Sequence, residues 1–320
     1  MQVYLIKRLM LFIPTMLLVF PLVFVILRVV PGDPAVAMLS GGAQTEKAFT
    51  QEDVDRLKAK LGTDRPLVVQ YGDWIWGLTR LDFGTSFFYD QPIWDDIKDR
   101  FPITFELTVL ALLMAGIVAI PLGVLSAIKQ DSLPDYIGRI ITIGGIAIPN
   151  FWIGILMVFF LANVFDWLPP LGYTDIWKDP WTNLQQLVFP ALALAITHMA
   201  FVGRVTRSAA LEVIREDYIR TARSKGLSEK IVIWRHVLKN ALLPVVTVAG
   251  YEFGRLMGGT VLIETIFNVP GMGQLLIGGI NHRDFPMVQG IVVVITFLVL
   301  IINLVVDMIY GMLNPRIRYT

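Results

Sequence analysis

The chain has 320 residues, 55% of them hydrophobic and 17% charged, with a formal net charge of +1. That is too apolar for an ordinary soluble domain, and no sequence-wide basic field points to nucleic acid. The lack of cysteine excludes disulfides, thiolate metal sites and a cysteine nucleophile.

Helical runs of about twenty apolar residues cross ~30 Å of hydrocarbon. Uncharged runs of that kind lie at Leu9–Leu27, Leu107–Ile128, Ile140–Phe165, Pro180–Gly203 and Phe285–Val306. A sixth, Asn240–Ile263, qualifies only if Glu252 and Arg255 are tolerated inside the membrane. Backbone in lipid must satisfy its own hydrogen bonds and β-type alternation is absent, so these runs predict an all-α polytopic membrane protein with six transmembrane helices. The first run follows MQVYLIKRLM and meets Pro31-Gly32-Asp33-Pro34 without a small-residue cleavage site. It is read as a retained span rather than a signal peptide.

The chain divides on this basis into 1–30, a cytoplasmic N-terminus and first span; 31–102, a small helical extracytoplasmic lobe; and 103–320, a core of five spans. In the lobe, Thr50 and Asp53 predict a capping box that starts a helix over 51–61, stopped by Gly62. A second helix is expected from Pro66 to Arg80. Its Tyr71, Trp74 and Trp76 suit either an internal or lipid-interface packing role or a docking surface for an external partner.

Short-loop basic residues set the orientation. Lys7 and Arg8 precede the first run, Lys129 and Arg139 flank the second-to-third loop, and Arg316 and Arg318 close the chain, whereas the third-to-fourth and fifth-to-sixth loops hold one basic residue each, Lys178 and Arg283. The 31–102 loop holds eight but exceeds the length over which the rule applies. Both termini are expected to be cytoplasmic.

In the fifth span Gly250, Gly254 and Gly258 recur every fourth residue, a drift of only ~40° per step, which suits close helix packing. Glu252 and Arg255 occupy a different face. They fit either a wet translocation pathway or a self-neutralising structural pair. His198, deep in the fourth span, reads as a hydrogen-bonded packing residue rather than a ligand.

Between spans four and five, residues 204–239 hold nine Lys/Arg against four Asp/Glu. A helix over Glu216–Lys225, a left-handed stop at Gly226 and a second helix from Ser228 predict a helix–turn–helix knob. Small Ala222 and Gly226 would allow a partner close, with Arg220, Arg223 and Lys225 at the rim. A basic helix lying on anionic lipid is the alternative.

No G-x-x-x-x-G-K-[ST], H-E-x-x-H or G-x-S-x-G motif occurs, and the three histidines fall in different topological places. Two classes survive: a permease driven by a separate ATPase, and a self-contained channel or secondary carrier. A carrier would be expected to show internal repeats and a channel a filter or charge rings; neither is visible.

Tyr218, Thr221-Ala222-Arg223, Gly226, His236, Asn240-Ala241 and Pro244 resemble the coupling loop of ABC-importer permeases, in the form carried by the dipeptide/oligopeptide/nickel branch. The resemblance extends through Pro31-Gly32-Asp33-Pro34, Leu81-Asp82-Phe83-Gly84-Thr85-Ser86, Glu264-Thr265-Ile266-Phe267, Pro270-Gly271-Met272-Gly273 and the tail Asn314-Pro315-Arg316-Ile317-Arg318. Where the general importer loop has E-A-A, this chain has Arg220-Thr221-Ala222, so no glutamate role is carried to position 220.

The resemblance implies a type I ABC-importer permease-like bundle in the bacterial inner membrane. It implies a coupling loop over 204–240, with Glu216, Asp217, Tyr218, Arg220, Thr221, Ala222, Arg223, Lys225 and Gly226 facing ATP-binding subunits. The chain itself would be non-catalytic and hold no cofactor or metal, with ATP and Mg on those partners. A second permease subunit, two ATP-binding subunits and an extracytoplasmic solute-binding protein are implied. The cargo would be di- or oligopeptides, or else nickel, glutathione or another solute.

Overall fold

The computed structural model describes residues 2–40 and 49–313. The tail motif at 314–318 lies outside the described residues. In chain order the helices are α1 (Gln2–Val29), α2 (Pro34–Leu39), α3 (Gln51–Leu61), α4 (Leu67–Thr79), α5 (Ile93–Ile128), α6 (Leu133–Ala147), α7 (Asn150–Phe165), α8 (Pro180–Ile214), α9 (Asp217–Ser224) and α10 (Glu229–Ile231). A π-helical stretch, Val232–Val237, then leads into α11 (Leu238–Gly259), α12 (Val261–Ile266), α13 (Met272–Asn281) and α14 (Phe285–Leu313). Five helices are long and apolar enough to cross a membrane, or six if α6 and α7 count as one bent span.

The third apolar run, Ile140–Phe165, is broken by that bend into two helices. α6 and α7 meet at 97°. Pro149 offers no amide hydrogen and disfavours helical geometry in the residue before it. Ile148 is accordingly extended (φ −98°, ψ 123°). By contrast Pro14, Pro21, Pro190 and Pro244 lie inside continuous helices.

Contacts gather the chain into two units, residues 1–104 with 270–300, and 105–269 with 301–320. In the first, the capping box forms as predicted. The Thr50 hydroxyl accepts from the Asp53 amide and the Asp53 carboxylate accepts from the Thr50 amide; Gly62 ends α3 at φ 70°. The Thr50 amide, and after it the Thr50 hydroxyl donating to the same carboxylate at 2.8 Å, hold the Asp53 carboxyl below its ordinary range. Lys58 reaches Asp33 at 2.6 Å, and Asp33 itself caps α2 through the Ala35 amide.

The α4 aromatics separate by role. Tyr71 and Trp74 pack against Phe24 of α1, at ring-centroid distances of 5.1 and 6.1 Å. Trp76 stays 61% exposed beneath the Arg80 guanidinium. Arg28, at the end of α1, donates to Gln70 of α4 and so fixes that packing.

The segment Leu81–Ser86 is a turn that docks on the start of α14. Asp82 accepts from the Gly84 amide at 2.8 Å, and Gly84 takes φ 82°. Phe83 stacks on Trp94 and packs against a cluster of Ile93, Ile97, Met272, Leu275, Met287 and Ile291. The Ser86 hydroxyl donates to Asp284, which is buried and also accepts from the Phe88 and Met287 amides.

In the second unit α8 is the axle, with α6, α7, α11 and α12 packed on it. Its apolar stretch is 61% buried within the chain, against 6% for α1. Small residues set the closest approaches. A Cβ on Gly123 would stand 2.7 Å from the Gly203 carbonyl oxygen, and one on Gly145 would stand 2.9 Å from Ala200. Such contacts let membrane helices pack backbone to backbone.

Candidate functional site

The knob is built as a closed motif. α9 ends in paired backbone bonds, Gly226 amide to Arg223 carbonyl at 2.9 Å and Leu227 amide to Ala222 carbonyl at 3.4 Å. These are the two bonds of a Schellman cap, and they need a left-handed residue between them. Gly226 provides it at φ 74°, with open space around its Cα. The Arg223 guanidinium then grips Glu229 of α10 through two bonds of 3.1 and 2.7 Å. That carboxylate raises the Arg223 pKa further above its ordinary value.

Ile219 and Ala222 form the inner face of α9. They join a core with Ala127, Ala209, Ala210, Val232, Val237 and Ala241. Ala222 is only 6% exposed. This corrects the expectation that Ala222 opens a close approach for a partner: its small size serves packing against α8 and the π-helical stretch of its own chain. The outer surface carries Glu216, Asp217, Tyr218, Arg220, Thr221 and Lys225, with Gly226 at the turn. Of these, Arg220 faces Asp217 at 3.8 Å, both side chains being well exposed.

Glu252 and Arg255 are paired, Arg255 donating from Nε and Nη2 to Glu252 Oε2 at 3.2 and 2.9 Å. The same oxygen meets Nδ1 of His198 from α8. Glu252 and His198 are each 2% exposed, whereas the Arg255 side chain is half exposed. The Glu252–Arg255 pair expected from the sequence thus takes in His198, which was read apart from it, and bridges α8 and α11. The 54 residues between His198 and Glu252 left no local signal.

The glycine stripe is not uniform. Gly250 lies against Val306, leaving no room for a Cβ, while Gly258 has nothing within 4 Å of that position. Within this chain the stripe expected to pack along its length does so at Gly250 and is open at Gly258.

Two further anchors were not read from the sequence. Asp135, fully buried at the start of α6, is held by Arg207 of α8 and by Arg139. In the loop between α7 and α8, the Tyr173 hydroxyl donates to Glu106 at 2.6 Å, and Gln186 and Asn183 fasten the backbone of Thr174. Burial, reinforced by Glu106, pushes the Tyr173 phenol above its ordinary pKa.

The family model for the inner membrane component of binding-protein-dependent transport systems matches residues 119–319, and the model for that component's N-terminal part matches residues 1–108. The chain belongs to this permease family. A putative peptide transport system permease of Brucella abortus (strain 2308) is 41% identical over 319 residues, covering all of both chains. A dipeptide transport system permease of Alkalihalophilus pseudofirmus is 37% identical over 340 residues, again with full coverage, and a glutathione transport system permease of Pectobacterium atrosepticum is 38% identical over 99% of each chain. Among solved structures, a methionine ABC transporter in an inward-facing conformation aligns with a TM-score of 0.55 at 20% identity, over 68% of this permease and 96% of that chain. This places the permease in the importer bundle fold. It is a multi-pass inner-membrane subunit of an ABC transport system.

Proposed function

We propose that this permease forms, with a second permease subunit, the inner-membrane pathway through which di- or oligopeptides are imported at the expense of ATP hydrolysed on two separate ATP-binding subunits. One observation carries the peptide assignment: similarity over the whole chain, including the lobe, to permeases named for peptide and dipeptide transport. The chain is non-catalytic in this scheme and holds no cofactor, ATP and Mg being bound by the ATPase partners.

The exposed face of α9, with Asp217, Tyr218, Arg220, Thr221 and Lys225, is the surface that an ATPase groove would grip. Its rigid attachment through Ile219, Ala222 and the Arg223–Glu229 pair suits it to passing motion into α8 and α11. Both termini and the 204–240 loop lie on the cytoplasmic side, and the 31–102 lobe meets a solute-binding protein outside. Cysteines placed at Ser224 and Thr79 would then react with an impermeant thiol reagent from opposite sides. Reaction of both from one side would refute the orientation.

Arg255 is the candidate pathway residue, because a half-exposed guanidinium within a span needs a wet cavity or a protein partner. A non-peptide cargo is the second reading, favoured by the glutathione permease relative. The deciding experiment is uptake by the reconstituted transporter with its cognate binding protein, offered labelled di- and oligopeptides, glutathione and Ni²⁺ in turn. Peptide uptake alone supports the assignment; uptake of glutathione or Ni²⁺ without peptide replaces it.

A further inference from the structure

We propose that the crevice between α5, α6 and α8 is a binding site for the phosphate headgroup of an anionic phospholipid. The crevice encloses about 550 Å³ and is lined by Ser126, Arg139, Ile143, Arg204, Arg207 and Ser208, among others. Three arginines therefore line one cavity, and no Asp or Glu is among its lining residues.

The three arginines are not equivalent. Arg207 spends its donors on Asp135. Arg139 also reaches Asp135, and Asp131 at 3.0 Å, but its Nε is buried and has no hydrogen-bond partner. Arg204 lies over the Phe201 ring at 5.5 Å and forms no ion pair among the described residues. Arg204 is thus left with unused donors beside a cavity of mixed polar and apolar lining, and the Arg139 Nε–H is a second, buried donor without a partner. A buried N–H without a partner is costly, and planar guanidinium donors match phosphate oxygens well.

Position selects a lipid phosphate over a soluble anion. Arg139 immediately precedes the apolar run Ile140–Phe165, and Arg204 immediately follows Pro180–Gly203. The ends of apolar runs sit at headgroup level in a bilayer. Both arginines consequently mark the same boundary on antiparallel helices. Beside them α6 presents Ile140 and Ile143 at 70% and 68% exposure, a surface that acyl chains would cover and a free anion would leave bare. A basic pocket between helices at this level is the arrangement that recognises anionic headgroups.

The test uses the purified transporter complex containing this chain, in vesicles of phosphatidylglycerol with phosphatidylcholine or of phosphatidylcholine alone, with bound lipid read by native mass spectrometry. Wild type should retain phosphatidylglycerol over phosphatidylcholine by at least about fivefold, from the charge of one arginine near the surface. Arg204→Gln should abolish that preference, charge-keeping Arg204→Lys should keep most of it, and millimolar inorganic phosphate should not displace the lipid. Any of four results would overturn the assignment: no preference in wild type, an undiminished preference in Arg204→Gln, loss of preference in Arg204→Lys, or displacement by inorganic phosphate.

Discussion

Arg207 holds Asp135 through two parallel hydrogen bonds, Nε to Oδ1 at 2.6 Å and Nη2 to Oδ2 at 2.8 Å, across 72 residues of sequence. Asp135 has no exposed surface, so the pair bolts the first turn of α6 to the flank of α8. Without Arg207 the carboxylate keeps Arg139 and the Asp131 amide, so the loss is that of the charge-assisted bonds to Arg207, about 1.5–3 kcal/mol. Arg207→Ala should therefore lower the thermal midpoint of the purified protein by several degrees. Arg207→Lys should fall between, since an ammonium cannot reproduce the two-point geometry. A midpoint equal to wild type in Arg207→Ala would show that the pair contributes nothing net.

Ala222→Trp should disorder the knob rather than merely block a partner. The new ring has to enter a core of alanines and valines, and overpacking of that kind costs about 1–3 kcal/mol or more. Limited proteolysis should cut within 204–240 in this variant. Arg220→Glu, on the exposed face, should leave the proteolysis pattern unchanged and lower recovery of the ATP-binding subunits in a pull-down. The reverse pattern would move the docking face to the other side of α9.

Gly226→Val places a β-branched residue at φ 74°, at a local cost of roughly 1–2 kcal/mol. Open space around the position means that the backbone, not a clash, is the obstacle. The spans should remain assembled, with an unchanged detergent-resistant melting profile. The ATPase should lose its response to loaded binding protein. A normal response would separate the turn geometry from coupling.

The glycine stripe makes a paired prediction. Gly250→Leu drives a side chain into Val306 and should reduce the amount of folded subunit, by about 1–3 kcal/mol of overpacking. A Cβ at Gly258 has no neighbour within 4 Å, so Gly258→Leu should leave the isolated subunit stable. If Gly258→Leu nevertheless impairs assembly with the second permease, that position is an intersubunit contact. Unimpaired assembly and uptake would assign it to lipid.

Glu252→Ala should cost about 3 kcal/mol, because His198 and Arg255 both lose their shared acceptor at membrane depth. Glu252→Gln, which keeps an oxygen acceptor, should retain more of the folded protein. Expression and thermal midpoint of the two variants provide the comparison, and equal values for both would mean that the charge, not the acceptor, is what the cluster needs.

Much of this protein was written in local pattern. Apolar run length against hydrocarbon thickness predicted the spans. Thr50 with Asp53 predicted the start of α3, Gly62 its end, and Gly226 the turn of the knob, because caps and left-handed stops depend on residues no more than a few positions apart. Asp284, directly before Phe285-Pro286, was open to the same reading as a helix cap. The kink at Pro149 was also available, though Pro190 and Pro244 look alike in sequence and sit inside unbroken helices.

Only the tertiary structure decided which faces meet. The burial of Ala222, the contact of Gly250 but not Gly258, the docking of Ser86 on Asp284 and the bonds joining His198 to Glu252 and Arg207 to Asp135 all link residues on separate elements. Helical periodicity says that a residue lies on a face, not which helix covers that face. That choice is made by the summed packing of many small residues along α8, a property of the assembled bundle that no single stretch of sequence contains.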